Sequence, residues 1–351
     1  MRAAVFHGRR DVRVEERPTP RPGAGSVLLR VSRCGICGTD AAEFQHGPRM
    51  FPVEQSHPAS GHHGPMIMGH EFVGEVVGVG EDVSREWLGR RLASGAGVSC
   101  GRCRWCRAGR TNLCARYWTL GLSADGGLAE YVAVPLATCA EIPTRCGDDA
   151  AALAQPLAVA VHALARGQVR PDDDVVLIGA GAIGSFILAA LADARPRSIT
   201  VLDVDDGRLA TASALGADNT VDARAELATE AVLDITGGGA NVVIEASGAP
   251  GGAQRALRLA ARGGRVVLVG LPHEPQRLDL ADATLREVDL RTTVAHVYDS
   301  DIPAALRLLA STDLVSHLLD RVIPIEDVVG DGLDAMLAGA ARGKILVAPG
   351  G

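Results

Sequence analysis

The feature that most restricts the fold is an alternation of apolar and alanine-rich segments in the second half of the chain. Residues 174–194 read DVVLIGAGAIGSFILAALADA, and further segments of both kinds follow at 198–217, 240–264 and 265–270. Strands that alternate with helices form a parallel sheet covered on both faces, and such strands are almost wholly apolar because both faces are buried. The sequence therefore predicts an α/β domain with a doubly wound parallel sheet.

Three glycines follow the first of these strands with the spacing G-x-G-x-x-G. Such glycines allow a tight turn close to a pyrophosphate, and the helix that follows offers free N–H groups. Asp203 comes nineteen residues after Gly184. A carboxylate there accepts hydrogen bonds from the adenosine ribose and repels a 2′-phosphate, so NAD is favoured over NADP. The alternative is a glycine turn without a ligand. The expected cofactor-binding residues are Gly179, Gly181, Ala182, Ile183, Gly184, Asp203 and Arg208.

The first 150 residues have a different composition, with many glycines, prolines and short β-type segments. Residues 26–38 and 70–83 are typical of strands separated by glycine bends. Residues 42–66 show little periodicity and predict a long loop, whereas 343–350 (GKILVAPG) predict a last strand. A chain of 351 residues with this change of composition predicts two domains.

Four cysteines lie within fifteen residues in the segment CGRCRWCRAGRTNLC. They are Cys100, Cys103, Cys106 and Cys114. The spacing indicates a metal site, either a structural clip or a zinc ribbon that reads nucleic acid. Arginines surround it at 102, 104, 107, 110 and 116, but the net charge of −7 provides no general attraction for a polyanion.

A second group of metal-type ligands is spread over two segments, CGICGTD and GHEFVG. It contains Cys37, His70 and Glu71. Each has an ordinary explanation by itself, as a buried thiol, a core histidine or a surface carboxylate. Together with a dinucleotide turn and a separate cysteine cluster they indicate a catalytic metal.

These motifs together resemble the zinc-dependent medium-chain alcohol dehydrogenases over nearly the whole chain. The resemblance is strongest to the polyol (sorbitol), 2,3-butanediol and threonine dehydrogenases. It is carried by CGICGTD, GHEFVGEV, the Cys100–Cys114 cluster, GGLAEYVAVP, QPLAVAVHA, GAGAIG and GKILV. It implies a GroES-like β-rich catalytic domain over 1–155 with a structural zinc lobe at about 96–116, a Rossmann NAD-binding domain over 156–296, and a return to the catalytic domain over 297–351.

The resemblance also assigns roles to individual residues. Cys37 and His70 match two ligands of a catalytic zinc, and the four clustered cysteines match the structural zinc site, whose closed shell leaves no position for substrate. Thr39 matches the hydroxyl that takes the substrate proton, and Asp40 matches the carboxylate that orients the zinc-binding histidine. Two zinc ions per chain and NAD are therefore expected.

Two positions depart from the family pattern. Ala42 stands where a relay histidine is usual. Either Glu43, His46 or water completes proton transfer, or the ribose hydroxyl of the cofactor exchanges its proton directly with solvent. Gln155 stands at the third ligand position, where the polyol branch has a carboxylate. An amide is a poor zinc ligand, so Glu71 is expected to bind zinc and Gln155 to contact a second substrate hydroxyl or the outer metal shell.

The substrate pocket is harder to predict. Trp118 is the main candidate for lining it, and Tyr117, Phe51 and the histidines of the long loop are others; ordinary packing is the alternative for each. The leading function is reversible oxidation of a secondary alcohol, diol or polyol by NAD. The alternatives are a zinc-free reductase of the same superfamily and a non-catalytic binding protein.

The expected partner is a small alcohol or polyol, with neither nucleic acid nor membrane, in a homodimer or homotetramer. Residues 1–16 lack the apolar core of a signal peptide, and no apolar segment approaches the roughly 20 residues that span a bilayer. A cytoplasmic location is therefore expected.

Overall fold

The computed structural model describes residues 1–350, which form two compact units. The first contains Met1–Ala158 and the chain from His296 onward, and the second is Val159–Ala295. None of the helices within residues 1–350 combines the length and the apolar character that a bilayer span requires.

The N-terminal part of the first unit is built mainly from short strands. The strands are β1 (Arg2–Gly8), β2 (Asp11–Glu16), β3 (Ser26–Gly35), β4 (Met66–Ile67), β5 (Glu71–Val79), β6 (Arg91–Ser94), β7 (Gly97–Val98), β8 (Trp118–Thr119), β9 (Tyr131–Pro135) and β10 (Cys139–Glu141). The helices are α1 (Gly38–His46), α2 (Arg104–Arg107), α3 (Asp148–Ala151) and α4 (Ala154–Gly167), which runs into the second unit. Single 3₁₀ turns lie at Arg85–Trp87, Thr111–Leu113 and Leu136–Thr138.

The second unit alternates strands and helices. Its strands are β11 (Asp174–Ile178), β12 (Ser198–Asp203), β13 (Asn219–Asp222), β14 (Ala240–Glu245), β15 (Ala260–Leu268) and β16 (Asp289–Thr292). Its helices are α5 (Ala182–Ala194), α6 (Asp206–Ala214), α7 (Ala228–Ile235), α8 (Gly252–Leu259) and α9 (Leu280–Leu285). The strands are all parallel in the order β13-β12-β11-β14-β15-β16, so the predicted doubly wound sheet is confirmed. This order reverses direction between β11 and β14, where such sheets bind dinucleotides.

The C-terminal segment returns to the first unit. It forms α10 (Tyr298–Ser311), α11 (Val315–Leu318), β17 (Leu319–Pro324), a 3₁₀ turn at Ile325–Asp327, a π-helical turn at Val328–Asp334, α12 (Ala335–Leu337) and β18 (Lys344–Ala348). β18 confirms the last strand that the sequence predicted. It pairs with β3 on one side and β17 on the other, and so completes the sheet β10-β6-β5-β3-β18-β17, with β9 also on β3.

One sequence-based assignment is wrong at its start. Residues 42–46 were expected in a loop, but they form the second half of α1. Ala41 and Phe44 are buried on the inner side of this helix, and Cys37 and Asp40 cap its first turn reciprocally. The cap and the two buried side chains stabilise a helix too short to show a clear period in the sequence.

Candidate active site and metal centres

The first metal-type cluster forms where β3 leads into α1 and β5 begins. Gly35 at the end of β3 is paired with Glu71 at the start of β5, and this register brings Cys37 beside His70. Ligand atoms of Cys37, His70 and Glu71 all lie within 4.8 Å of one another. His70 and Glu71 are buried, with exposed fractions of 5% and 1%. A thiol, an imidazole and a carboxylate at this spacing are a donor set that suits zinc.

Asp40 lies behind this cluster and is fully buried. One of its oxygens accepts a hydrogen bond from the Cys37 N–H at 2.8 Å, and the other lies 3.6 Å from His70 Nδ1. Burial lowers the pKa of His70, but the charges of Asp40 and Cys37 outweigh it and raise this pKa well above its usual value. The acidic surroundings therefore favour a cation at this point, which is a proton on the ring when no metal is bound. Asp40 lies at Nδ1 and leaves Nε2 as the nitrogen that would bind a metal once that proton has left.

Lys344 completes the cluster in a way that the sequence did not indicate. Its ammonium group is buried, lies 2.7 Å from Glu71 Oε2 and donates hydrogen bonds to Glu71 Oε1 at 2.8 Å and to the Ile36 carbonyl at 3.2 Å. Burial lowers the pKa of Lys344, and the charges of Glu71 and Cys37 raise it to a net value above normal. Lys344 is thus a cation in this pocket. The only hint in the sequence is that Lys344 is the single lysine of the chain.

The other predicted residues of this site lie on three different elements. Thr39 lies in the first turn of α1, half-buried, with Oγ1 3.9 Å from Cys37 Sγ. Gln155 is the half-buried second residue of α4. Trp118 is half-buried in β8, opposite Val98, and packs against the core of the first unit.

Two candidates that the sequence suggested have other roles. Glu43 is buried, and its carboxylate accepts hydrogen bonds from the N–H groups of Arg49 and Met50, both at 2.9 Å. It therefore fixes the segment after α1 and is not free to complete a proton relay. Phe51 is 3% exposed and packs edge-to-face on Phe6 with 4.9 Å between ring centroids, so it belongs to the core.

The four clustered cysteines also come together, with their sulfur atoms within 4.8 Å of one another. The N–H groups of Cys100 and Arg116 donate to Cys114 Sγ at 3.3 Å each. Hydrogen bonds from backbone N–H groups, chiefly that of Cys106, lower the pKa of Cys103 to about 6, which favours the thiolate that a metal requires. Four sulfur donors at this spacing are a donor set that suits a tetrahedral zinc site.

The arginines beside this cluster are partly occupied by contacts of their own. The guanidinium groups of Arg104 and Arg110 lie over the ring of Trp105, at 4.6 and 5.5 Å from its centroid. Cation–π contacts of this kind hold the two side chains against the lobe.

In the second unit, the glycine turn joins β11 to α5. Gly179 has a φ of +92°, and a side chain there would come within 2.9 Å of Ser247. A side chain at Gly184 would collide with the Gly179 carbonyl. Gly181 is the residue before the first turn of α5, which Ala182 and Ile183 begin. The geometry leaves the backbone N–H groups at the helix N-terminus accessible to a phosphate.

Asp203 closes this turn from β12. Its carboxylate accepts hydrogen bonds from the N–H groups of Ala180 at 2.7 Å and Asp205 at 3.0 Å, and Arg208 Nη1 lies 3.7 Å away. Asp203 is 5% exposed, whereas the Arg208 side chain is 54% exposed. The structure therefore brings the glycine turn, Asp203 and Arg208 together.

Comparison with known proteins agrees with both units. The family model described as alcohol dehydrogenase GroES-like domain matches residues 23–144, and the model described as zinc-binding dehydrogenase matches residues 182–311. The chain belongs to the zinc-dependent alcohol dehydrogenases. It is an oxidoreductase of this family, and the family and fold class predicted from its motifs are confirmed.

Similar curated proteins cover most of the chain. The (R,R)-butanediol dehydrogenase of Bacillus subtilis (strain 168) is 30% identical over 351 residues, which are 99% of this chain and 100% of that protein. The sorbitol dehydrogenase of the same organism is 32% identical over 315 residues, 89% and 86% of the two chains. The L-threonine 3-dehydrogenase of Pectobacterium atrosepticum is 30% identical over 336 residues, 94% and 89%.

Solved structures extend the similarity to the fold. The 2R,3R-butanediol dehydrogenase from Bacillus subtilis has a TM-score of 0.92 at 29% identity, with 99% of both chains covered. An alcohol dehydrogenase from E. coli CFT073 complexed with NADH has a TM-score of 0.90 at 27% identity. A protein described as a zinc-binding dehydrogenase from Sinorhizobium meliloti 1021 bound to NADP has a TM-score of 0.87 at 30% identity. Each of these two alignments covers 99% of both chains.

Proposed function

We propose that this dehydrogenase binds two zinc ions and NAD, and that it reversibly oxidises a secondary alcohol, diol or polyol to the ketone. The observation that supports this most directly is the convergence of Cys37, His70 and Glu71, with Asp40 behind His70. Cys37, His70 and Glu71 would hold a zinc ion that supplies a Lewis acid, and bound NAD would supply the hydride acceptor. The cysteine cluster at 100–114 supplies the second, structural zinc site.

The residues around the cluster have separate tasks in this proposal. Asp40 orients the His70 ring, and Thr39 takes the proton of the substrate hydroxyl. Because Ala42 has no titratable group and Glu43 is bound to loop amides, His46 or water completes the exit of that proton. The Lys344 ammonium group offsets one of the negative charges that the thiolate and the carboxylates bring to this site.

The third zinc ligand is the part of this site that the family pattern leaves open, because Gln155 stands at the usual position. We assign it to Glu71, which exchanges Lys344 for the metal in at least one state, and we assign to Gln155 a hydrogen bond with a second substrate hydroxyl. Gln155 is half-buried at the beginning of α4, and its amide both donates and accepts. This assignment favours a diol or polyol over a simple alcohol.

The Gln155→Ala variant tests this assignment. It is expected to keep both zinc ions and to lose roughly 5- to 150-fold in kcat/KM on vicinal diols, the equivalent of about 1–3 kcal/mol for an unpaired polar group. Simple secondary alcohols should be affected much less, because they lack the second hydroxyl. Zinc per chain is measured by mass spectrometry beside kinetics on a panel of alcohols, diols and polyols, with Gln155→Glu as a control of equal size.

The panel also tests the function as a whole. Two zinc ions with NAD-dependent turnover by the wild type support the proposal. Turnover with one zinc or none supports a zinc-free reductase, and no turnover on any substrate leaves a binding protein. Loss of zinc from Gln155→Ala, with retention by Glu71→Ala, would reverse the ligand assignment.

NAD is the proposed cofactor because the carboxylate of Asp203 lies beside the glycine turn, where the adenosine ribose is expected to bind. Asp203→Ala should raise the KM for NAD roughly 10- to 150-fold, since a hydrogen bond to a charged group contributes about 1.5–3 kcal/mol, and should reduce the preference for NAD over NADP. Asp206→Ala is the matched control because its side chain is 81% exposed and pairs with Arg224. Faster turnover of the wild type with NADP than with NAD, at equal concentration, would contradict the choice of cofactor.

We also propose a homodimer or homotetramer. The edge strand β16 exposes Leu290, and Leu285 at the end of α9 is 79% exposed, so two apolar side chains are uncovered in this part of the second unit. Edge strands are usually protected from uncontrolled pairing, and a partner subunit is one form of protection. Sedimentation velocity at micromolar concentration distinguishes these states from a monomer.

A further inference from the structure

The second unit contains a buried carboxylate that the proposed mechanism does not use. Glu245 ends β14 and is 2% exposed. Its side chain accepts hydrogen bonds from the Ser247 N–H at 2.9 Å, from the Ser247 hydroxyl, and from the Gly248 N–H at 3.1 Å. A buried carboxylate is costly unless such donors satisfy it, so this one fixes the backbone of the loop that follows β14.

The main chain of Glu245 reaches the next loop as well. Its carbonyl accepts hydrogen bonds from the N–H groups of Val269 at 2.8 Å and Gly270 at 3.0 Å, directly after β15. A side chain at Gly270 would come within 2.8 Å of Glu245 Oε2. One residue therefore joins the loops that leave two neighbouring parallel strands.

The loop held in this way also touches the glycine turn. A side chain at Gly179 would meet Ser247 at 2.9 Å, and one at Gly248 would meet the Leu271 carbonyl at 2.8 Å. Ser247 and Gly248 thus lie between the turn after β11 and the loop after β15. All three segments leave the carboxyl ends of parallel strands, which is where sheets of this order bind dinucleotides.

The two halves of the sheet bind different halves of a dinucleotide. Asp203, at the end of β12, belongs to the half formed by β11–β13, which receives the adenosine. Glu245 belongs to the half formed by β14–β16, and this half is left for the nicotinamide nucleotide. The Ser247 hydroxyl is already bound to Glu245 and accepts a hydrogen bond from the Ala249 N–H at 3.1 Å, so it acts on the loop and not on a ligand.

We propose that Glu245 is a positioning residue for the nicotinamide half of the cofactor. Its carboxylate holds Ser247 and Gly248 in place, so that this half of the crevice is formed before the dinucleotide binds. The inference rests on the proposed binding of NAD, and it concerns binding geometry, without any contact between Glu245 and the reacting atoms.

Glu245→Gln tests the proposal, because the amide has nearly the same size but lacks the negative charge that strengthens the hydrogen bonds from Ser247 and Gly248 to Oε1. The Kd of NADH, from fluorescence titration of the purified protein, is expected to rise roughly tenfold when these hydrogen bonds to a charged group are replaced by weaker ones to a neutral amide. The Kd of AMP, from calorimetry, is expected to remain within about twofold, because AMP occupies only the adenosine half. Neither measurement requires turnover.

Two control variants separate positioning from loss of stability. Asp203→Ala should weaken the binding of AMP, whereas Glu245→Gln should leave it nearly unchanged. Asp173→Asn alters another buried carboxylate, which lies just before β11 and accepts from Arg265 at 2.7 Å; it should lower the melting temperature with the ratio of the two Kd values unchanged. If Glu245→Gln is insoluble, Ser247→Ala removes one donor and should give the same selectivity to a smaller degree.

Weaker binding of NADH with unchanged binding of AMP supports a positioning role. Equal weakening of both ligands, or no weakening of either, overturns it while leaving the proposed cofactor intact. If the wild type shows no measurable binding of either AMP or NADH, the proposed cofactor is wrong, and this inference is wrong with it.

Discussion

His70→Ala should lower kcat/KM by about 10³-fold or more, because a bound Lewis acid supplies several kcal/mol of transition-state stabilisation. His70 is one of three donors in a pocket where they lie within 4.8 Å of one another, and alanine offers no replacement for its ring nitrogen. The variant should contain one zinc per chain in place of two. Steady-state kinetics and metal analysis of the same preparation measure both quantities.

The matched control for this variant is Cys103→Ala, which removes a donor from the other cluster. Zinc bound by four thiolates is coupled to folding of the segment that provides them. Cys103→Ala should therefore also lose one zinc, but with a lower melting temperature as its first effect. A Cys103→Ala protein of unchanged melting temperature would contradict a structural role, and His70→Ala with two zinc ions and normal turnover would contradict the catalytic one.

The second unit could be predicted from sequence because its signals are local. Val175, Val176 and Leu177 of β11 are at most 1% exposed, as a strand buried on both faces requires, and they are consecutive in the chain. The glycine turn is equally local, since the φ of Gly179 and the contact of Gly184 with it arise within six residues. A fold built from repeated strand–helix pairs therefore leaves its pattern in short windows of sequence.

Those features that the sequence did not reveal depend on distant pairing. Lys344 meets Glu71 across 273 residues, and only the pairing of β18 with β3 brings them together. Glu43 was a candidate for proton transfer by position alone, but the path of the chain after α1 supplies two backbone donors that fix it. A carboxylate's role thus depended on its three-dimensional neighbours and not on its spacing from Cys37.

Lys344→Met should destabilise the protein by about 3–5 kcal/mol when the catalytic zinc is absent, since removal of one partner leaves a buried charge uncompensated. Lys344 and Glu71 have side chains that are 5% and 1% exposed, so water cannot replace the lost partner. His70→Ala provides the background without catalytic zinc and keeps the zinc of the cysteine cluster. Urea unfolding measures the loss of stability as a shift of the unfolding midpoint, provided that the m-value is unchanged.

The same substitution in the zinc-loaded wild type tests whether Glu71 reaches the metal. If it does, zinc balances the negative charge of Glu71 in place of Lys344. Lys344→Met should then lower the free energy of unfolding clearly less in the zinc-loaded protein than in the His70→Ala background. Equal losses in the two backgrounds would contradict Glu71 as a ligand. The double variant Glu71→Gln/Lys344→Met completes the cycle: removal of both charges should be nearly neutral in the His70→Ala background, because the pair's attraction roughly offsets its desolvation. A large loss in that double variant would mean that the side chains stabilise the site by packing rather than by charge.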